Sequence, residues 1–335
     1  MSFVTFGEIM LRLTPAQLGD KIYAARTFGV NYAGSEASVA SSLGVLGNDA
    51  SFVTKLPENQ LGDAAIASLR AFGIDTNHIL RGGNRIGTYF IEIGSSIRPS
   101  SVIYDRANSA ISEIKRGELN WAEILANKKW LFLSGITPVL SKQCAEETIN
   151  AAKIARKLGV KVGFDMNYRR SLWQKASDAR RIFDEILQHT DLLFGNTGVL
   201  NDVYGMHVSG DTALDKTLNA AEMAAETFEV DQLAFTVREH SSASMNKVSG
   251  VFRSGGASVV SHTYEVAITD RFGTGDAFAA ACLHSLNQGW GLKKTINFAT
   301  AAFALKHTIP GDQHTSTEKE ISSIMEGNTS GHVLR

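Results

Sequence analysis

The stretch Asp270-Arg271-Phe272-Gly273-Thr274-Gly275-Asp276-Ala277-Phe278 decides how this chain is read. It follows an extended segment, Val259 to Ile268, and precedes an apolar run, Ala277 to Leu286, that reads as a helix. Gly-Thr-Gly-Asp therefore falls where a loop becomes a helix N-terminus. Glycines there let backbone N–H groups approach a ligand, and the helix end concentrates partial positive charge. Such a turn can cradle an anion, including the charge that develops on a phosphoryl group in transfer. Asp276 stands in the first turn, where a carboxylate is favoured in its ionised form and is available as a base. A plain glycine turn with Asp276 as N-cap fits the same residues. The spacing is neither Gly-x-Gly-x-x-Gly nor a Walker loop, because no Gly-Lys-Ser/Thr follows.

Outward from this stretch, strands and helices alternate. Ser2 to Gly7 reads as a strand, and Glu36 to Leu46 as a helix stopped by Gly47. Ala50 to Lys55 is a strand and Gly62 to Phe72 a helix closed by Gly73. Strands follow at Trp130 to Ser134, Lys161 to Asp165, Leu192 to Gly195 and Leu233 to Val237. Helices at Lys142 to Leu158, Ser177 to His189 and Leu214 to Glu226 separate them, and Ala299 to Leu305 reads as a buried helix. Such alternation implies βαβ units and an α/β fold with a mainly parallel sheet covered on both faces. Leu11 to Asn31 and Arg85 to Ile111 break the rhythm with short alternating segments, which predict a small β-rich lid inserted into the core. A lid over the carboxyl ends of a parallel sheet suits chemistry that excludes water.

Composition narrows the function. Of 335 residues, 44% are apolar and 20% charged, which excludes a disordered tail protein, a collagen and a disulfide scaffold. Thirty-three basic against 34 acidic residues leave a net charge of −1, so no global field attracts nucleic acid or an anionic membrane. A small anionic ligand would need a local site. Cys144 and Cys282 are too few for a zinc finger and read as buried thiols in a reducing compartment. No apolar run approaches the ~18–20 residues that span a bilayer, and Met1 to Leu13 reads as a first strand. The expected location is cytoplasmic.

Gly273-Thr274-Gly275-Asp276-Ala277-Phe278 resembles the C-terminal signature of the ribokinase-like (PfkB) carbohydrate kinases. Gly34-Ser35-Glu36-Ala37-Ser38-Val39-Ala40, then Leu43-Gly44 and Leu46-Gly47, is similar to that family's first signature. The signature normally reads Gly-Gly-x-x-x-Asn-x-Ala before Leu-x-x-Leu-Gly; Ala33 replaces its first Gly, and Ser38 its Asn. The resemblance spans residues 2 to about 326. Three segments look like those of the 2-keto-3-deoxygluconate kinases: Gly7 to Leu13, Tyr104-Asp105-Arg106-x-x-Ser109-Ala110, and Phe164-Asp165-x-Asn167-x-Arg169-x-x-Leu172-Trp173.

The resemblance implies a three-layer α/β/α core from residues 1–10, 34–84 and 113–326, a β-rich lid from 11–33 and 85–112, and a tail at 327–335. It implies ATP with Mg2+ at the carboxyl edge of the sheet and a sugar acid under the lid. Asp276 would be the general base, with the N–H groups of Gly273, Thr274 and Gly275 around the developing charge. The reaction would convert 2-keto-3-deoxygluconate to 2-keto-3-deoxy-6-phosphogluconate. Gly34, Ser35, Glu36, Ala37 and Ser38 would line the sugar, and Tyr89, Tyr104, Arg106, Arg169 and Asp312 would contact it. The two arginines suit a carboxylate, which a guanidinium reads bidentately. Asp165, Asn167, Asn196 and Arg238, with Gly273 and Gly275, would face the nucleotide, and the Ala299 to Leu305 helix would flank its adenine; metal ligands stay unassigned. Two copies would pair through the lid. A kinase of a neutral ketose such as fructose stays open as an alternative, and two departures keep open a catalytically weak sugar-acid sensor. Asn196-Thr197-Gly198-Val199 lacks the Glu of the usual Asn-x-x-Glu, and Val237 to Ser242 lacks the usual glycines.

Overall fold

Unbroken apolar strands such as Phe3-Val4-Thr5-Phe6 and Trp130-Leu131-Phe132-Leu133 are buried along their whole length, as strands clad on both faces must be. The computed structural model describes residues 2–17 and 19–331. Their strands are β1 (Phe3–Phe6), β2 (Met10–Pro15), β3 (Phe28–Ala33), β4 (Ala50–Leu56), β5 (Ile79–Arg81), β6 (Thr88–Glu92), β7 (Ser101–Asp105), β8 (Trp130–Ser134), β9 (Lys161–Asp165), β10 (Leu192–Gly195), β11 (Gln232–His240), β12 (Met245–Ser254), β13 (Ala257–Val260) and β14 (Tyr264–Ala267). Their helices are α1 (Ser35–Val45), α2 (Gln60–Arg70), α3 (Trp121–Ile124), α4 (Lys142–Leu158), α5 (Ala176–Leu187), α6 (Thr197–Tyr204), α7 (Ala213–Phe228), α8 (Thr274–Asn287), α9 (Leu292–Lys306) and α10 (Glu318–Met325).

The main sheet runs β13-β12-β11-β10-β9-β8-β1-β4-β5, with β14 also paired to β12. From β11 to β5 every pairing is parallel. Alternate side chains feed opposite faces. Val4, Leu131 and Leu133 join one apolar core with α4, α5 and α7, while Phe3, Trp130 and Phe132 join another with α1, α8 and α9. This is the expected three-layer arrangement. Helix α4 follows its sequence limits: Ser141 accepts from the Cys144 N–H at 3.1 Å, and Gly159 ends it at φ 72°. Cys144 and Cys282 are buried free thiols.

The antiparallel margin departs from the sequence reading. Val259 to Ile268 is not one strand. It splits into the end of β13 and all of β14, which pair with opposite ends of β12. The break comes at Ser261, whose Oγ accepts from the Gly250 N–H at 2.9 Å and donates to the His262 carbonyl. A side-chain oxygen thus competes with the backbone ladder. The tail expectation at 327–335 falls partly outside the described residues, which stop at 331.

A separate four-stranded sheet, ordered β3-β2-β6-β7, forms the lid-like unit. Its alternation works as a half-buried sheet requires. Met10, Ala33, Tyr89 and Ile91 are buried against Phe272, which belongs to the loop before α8.

Candidate active site

The carboxyl ends of β8, β9, β10 and β11, the lid strand β6 and the N-terminus of α8 enclose one cavity of about 810 Å³. This is where a parallel sheet places ligands. Of the expected residues, Gly34, Ser35, Glu36, Tyr89, Tyr104, Arg106, Asp165, Asn167, Arg169, Asn196, Arg238, Gly273, Thr274, Gly275, Asp276 and Asp312 all line it. Ala37 and Ser38 do not. Both point into the packing of α1, buried to 0% and 1% exposure. Nor does the stretch Ala299–Leu305 reach the cavity wall. It belongs to α9, which packs on α8 and β12.

Asp276 is not the N-cap. Gly273 occupies that position at φ 72°, and Asp276 is the third residue of α8. Only a glycine fits at 273. Its φ is left-handed, and a Cβ there would overlap the Asp312 carbonyl oxygen. Asp276 Oδ1 accepts from Ser35 Oγ at 2.6 Å, and Ser35 Oγ accepts from Asn167 Nδ2 at 3.0 Å. Burial pushes the Asp276 carboxyl well above the ordinary range, and the charges of Asp165, Asp312 and Glu36 push the same way, against the Ser35 hydrogen bond.

The turn before α8 is braced by Arg12 of β2, a residue to which the sequence reading gave no role. Arg12 is 1% exposed; it binds Asp270 Oδ2 at 2.6 Å and also Asp312, and its guanidinium lies over the Phe272 ring at 5.3 Å. Burial works against the Arg12 charge, but Asp312 and Asp270 more than offset it and hold its pKa above the usual value. Tyr89 donates to Asp312 Oδ1 at 3.0 Å. Lys306 secures the preceding turn by donating to the Ile309 and Gly311 carbonyls at 2.8 and 2.6 Å. Asp312 thus ties the lid to the loop after α9, and Arg12 ties the lid to Asp270 in the loop before α8.

Arg106 lines the cavity, but its guanidinium is already engaged. It pairs with Glu8, through Nε at 2.9 Å and through Nη2, and Ser109 also donates to Glu8 at 2.5 Å. Glu36 is likewise committed, accepting from Ser134 and Thr137 at 2.7 and 2.6 Å, with burial raising its pKa. Three other arginines on the wall have no carboxylate partner among the described residues. Arg169 bonds the Tyr168 carbonyl at 3.3 Å, Arg238 the Thr274 hydroxyl at 3.0 Å, and Arg271 the Ala243 carbonyl at 3.4 Å. Burial, then the charges of Arg271 and Arg169, pull the Arg238 pKa down to about 10. A half-buried cation whose charged neighbours are cations marks a place for an anion. Arg271, absent from the sequence reading, shared its quoted stretch but no motif position.

Val199 stands where the usual Asn-x-x-Glu has its Glu. Asn196 caps α6 by accepting from the Gly198 and Val199 N–H groups. Val199 is buried in the core, and Asp202 is bound by Arg170 at 2.7 Å. Among the described residues no cluster of three metal-ligating side chains exists.

The chain matches the model of the pfkB family carbohydrate kinases over residues 2–319. It is 33% identical to a 2-dehydro-3-deoxygalactonokinase of Haloferax volcanii over 98% of each chain. It is similar to the crystal structure of 2-dehydro-3-deoxygluconokinase from Thermotoga maritima, with a TM-score of 0.94 and 43% identity over 98% of this chain and 100% of that one. A putative ribokinase II from E. coli, in complex with ATP and Mg2+, shares the fold at a TM-score of 0.81 and 20% identity, over 97% and 99% of the two chains.

Proposed function

This chain belongs to the pfkB family of carbohydrate kinases, and we propose that it phosphorylates a 2-keto-3-deoxy sugar acid of the gluconate type at O6 with ATP. The product is 2-keto-3-deoxy-6-phosphogluconate. The observation that carries this reading is the pairing, in one cavity, of Asp276 at the head of α8 with three arginines that lack carboxylate partners among the described residues.

The sugar acid lies under the lid. Arg169 takes its carboxylate, because Arg106 is already held by Glu8. Tyr89 and Tyr104, stacked with centroids 6.0 Å apart, form the wall beside it. Asp276 accepts the proton of the primary alcohol, the alcohol oxygen bonds to the γ-phosphorus, and the bond to the β,γ-bridging oxygen breaks to leave ADP. The N–H groups of Gly273 to Asp276 and the guanidiniums of Arg238 and Arg271 face the charge on the phosphates. The cationic wall fits a polyphosphate. Mg2+, with Asp165 and Asn196 as the residues on its side, would neutralise phosphate charge, relying mainly on phosphate oxygens and water.

The lid also supports a homodimer. Val30, Leu13, Phe90 and Ile103 lie in one cross-strand row, and Val30 and Ile103 are more than half exposed. No described helix is long and apolar enough to cross a membrane; a cytoplasmic location remains our proposal.

The test is steady-state phosphorylation, with coupled ADP detection, of keto-deoxy gluconate- and galactonate-type acids beside neutral ketoses, on the wild type and Arg169→Ala. The reading expects the gluconate-type acid to be preferred. It also expects Arg169→Ala to raise KM for the acid far more than for a neutral analogue. Equal effects on both remove the carboxylate argument. Preference for fructose, or sugar-acid binding without ADP formation, overturns the substrate assignment.

A further inference from the structure

Three segments far apart in the chain meet at one hydroxyl. Gly34 precedes α1 in extended backbone, and a Cβ there would overlap the Glu8 carbonyl, so the glycine lets α1 begin against the β1–β2 corner. That start puts Ser35 opposite Asp276, and behind it stands Asn167. Asn167 adopts a left-handed φ of 33°, uncommon for a side-chain-bearing residue. Its N–H bonds Asp165 Oδ1 at 2.9 Å, which holds the turn in place.

The donors and acceptors can be assigned by elimination. When Asp276 is ionised, as a base must be, the 2.6 Å contact between Ser35 Oγ and Oδ1 needs a proton between them, and the hydroxyl supplies it. Ser35 must then accept from Asn167, so the amide nitrogen of Asn167 is the atom that faces it. The chain of donors runs in one direction, Asn167 to Ser35 to Asp276.

We propose that Ser35 is a positioning residue: its hydroxyl, turned by Asn167, holds Oδ1 of Asp276 so that Oδ2 is left for the acceptor alcohol. The proposal rests on the reading of Asp276 as the base. It also gives Ser35 a role other than contact with the sugar. The charged groups around Asp276 are Asp165 at the end of β9, Asp312 in the loop after α9, Glu36 on α1 and Lys306 on α9. The three carboxylates disfavour a second negative charge, and the Ser35 donor favours it. Turnover needs Asp276 deprotonated, so it falls as the pH drops through the Asp276 pKa. Removing the donor raises that pKa and moves the acidic limb of kcat/KM to higher pH.

The experiment pairs that profile with 13C NMR titration of the Asp276 carboxyl in selectively labelled enzyme, the resonance being assigned with Asp276→Asn. Ser35→Ala should move both the limb and the carboxyl titration up by about one pH unit. Ser35→Thr should restore them, and Asn167→Ala should shift them less in the same direction. A Ser35→Ala enzyme with a raised KM and neither property moved overturns the proposal, leaving Ser35 as a sugar contact. If that variant does not turn over, the titration decides alone: a raised value supports the proposal and an unmoved one overturns it. Near-normal turnover by Asp276→Asn would instead defeat the base reading, whatever the titration shows.

Discussion

Two sets of arginines face the same cavity and live by different rules. Arg12 and Arg106, at the lid, are almost wholly enclosed and paired with carboxylates: Arg12 with Asp270 and Asp312, Arg106 with Glu8. Arg169, Arg238 and Arg271, on the opposite wall, bond only neutral oxygens among the described residues. The first set has its counter-charge inside the chain. The second has none among the described residues, which leaves it open to the charge of a ligand. The difference teaches that a guanidinium in a site is assigned by what already neutralises it.

The largest effect should come from breaking a member of the first set. Arg12→Met leaves the buried Asp270 and Asp312 carboxylates without their cation, a loss of about 3–5 kcal/mol in denaturant unfolding. Near-wild-type stability would mean that the two acids do not depend on Arg12, and the distinction between the sets would weaken. A smaller effect, of another kind, should follow from a member of the second set. Arg238→Met removes a cation that burial and two neighbouring arginines already disfavour. Stability should hold or rise, while KM for ATP rises about 10- to 100-fold, the worth of one charged hydrogen bond. An unchanged KM would take Arg238 out of the phosphate site.

The contrast also explains how far the sequence could be read. The parallel core was legible because buried strands advertise themselves as continuous apolar runs: β8, β9, β10 and α4 lie where periodicity and glycine stops put them. Strand β12 was not, because Asn246, Lys247, Ser249 and Gly250 interrupt its pattern and its burial is decided by α9 and the flanking strands. The wall of the site was mostly legible through short motifs. What those motifs could not convey was occupancy. Nothing local says that Glu8 claims Arg106, 98 residues away, or that Arg12 reaches Asp312 across 300. Ala37 and Ser38 were misplaced for a related reason: successive helical residues turn by about 100°, so a contiguous motif cannot all face one cavity.

Asp276 is proposed to do proton chemistry at a turn whose amides would face the phosphates. The direct measurement is kcat for Asp276→Asn beside calorimetric binding of the sugar acid to the same variant. Binding should persist while kcat falls roughly 10²–10⁴-fold. Turnover close to wild type, with binding intact, would contradict it.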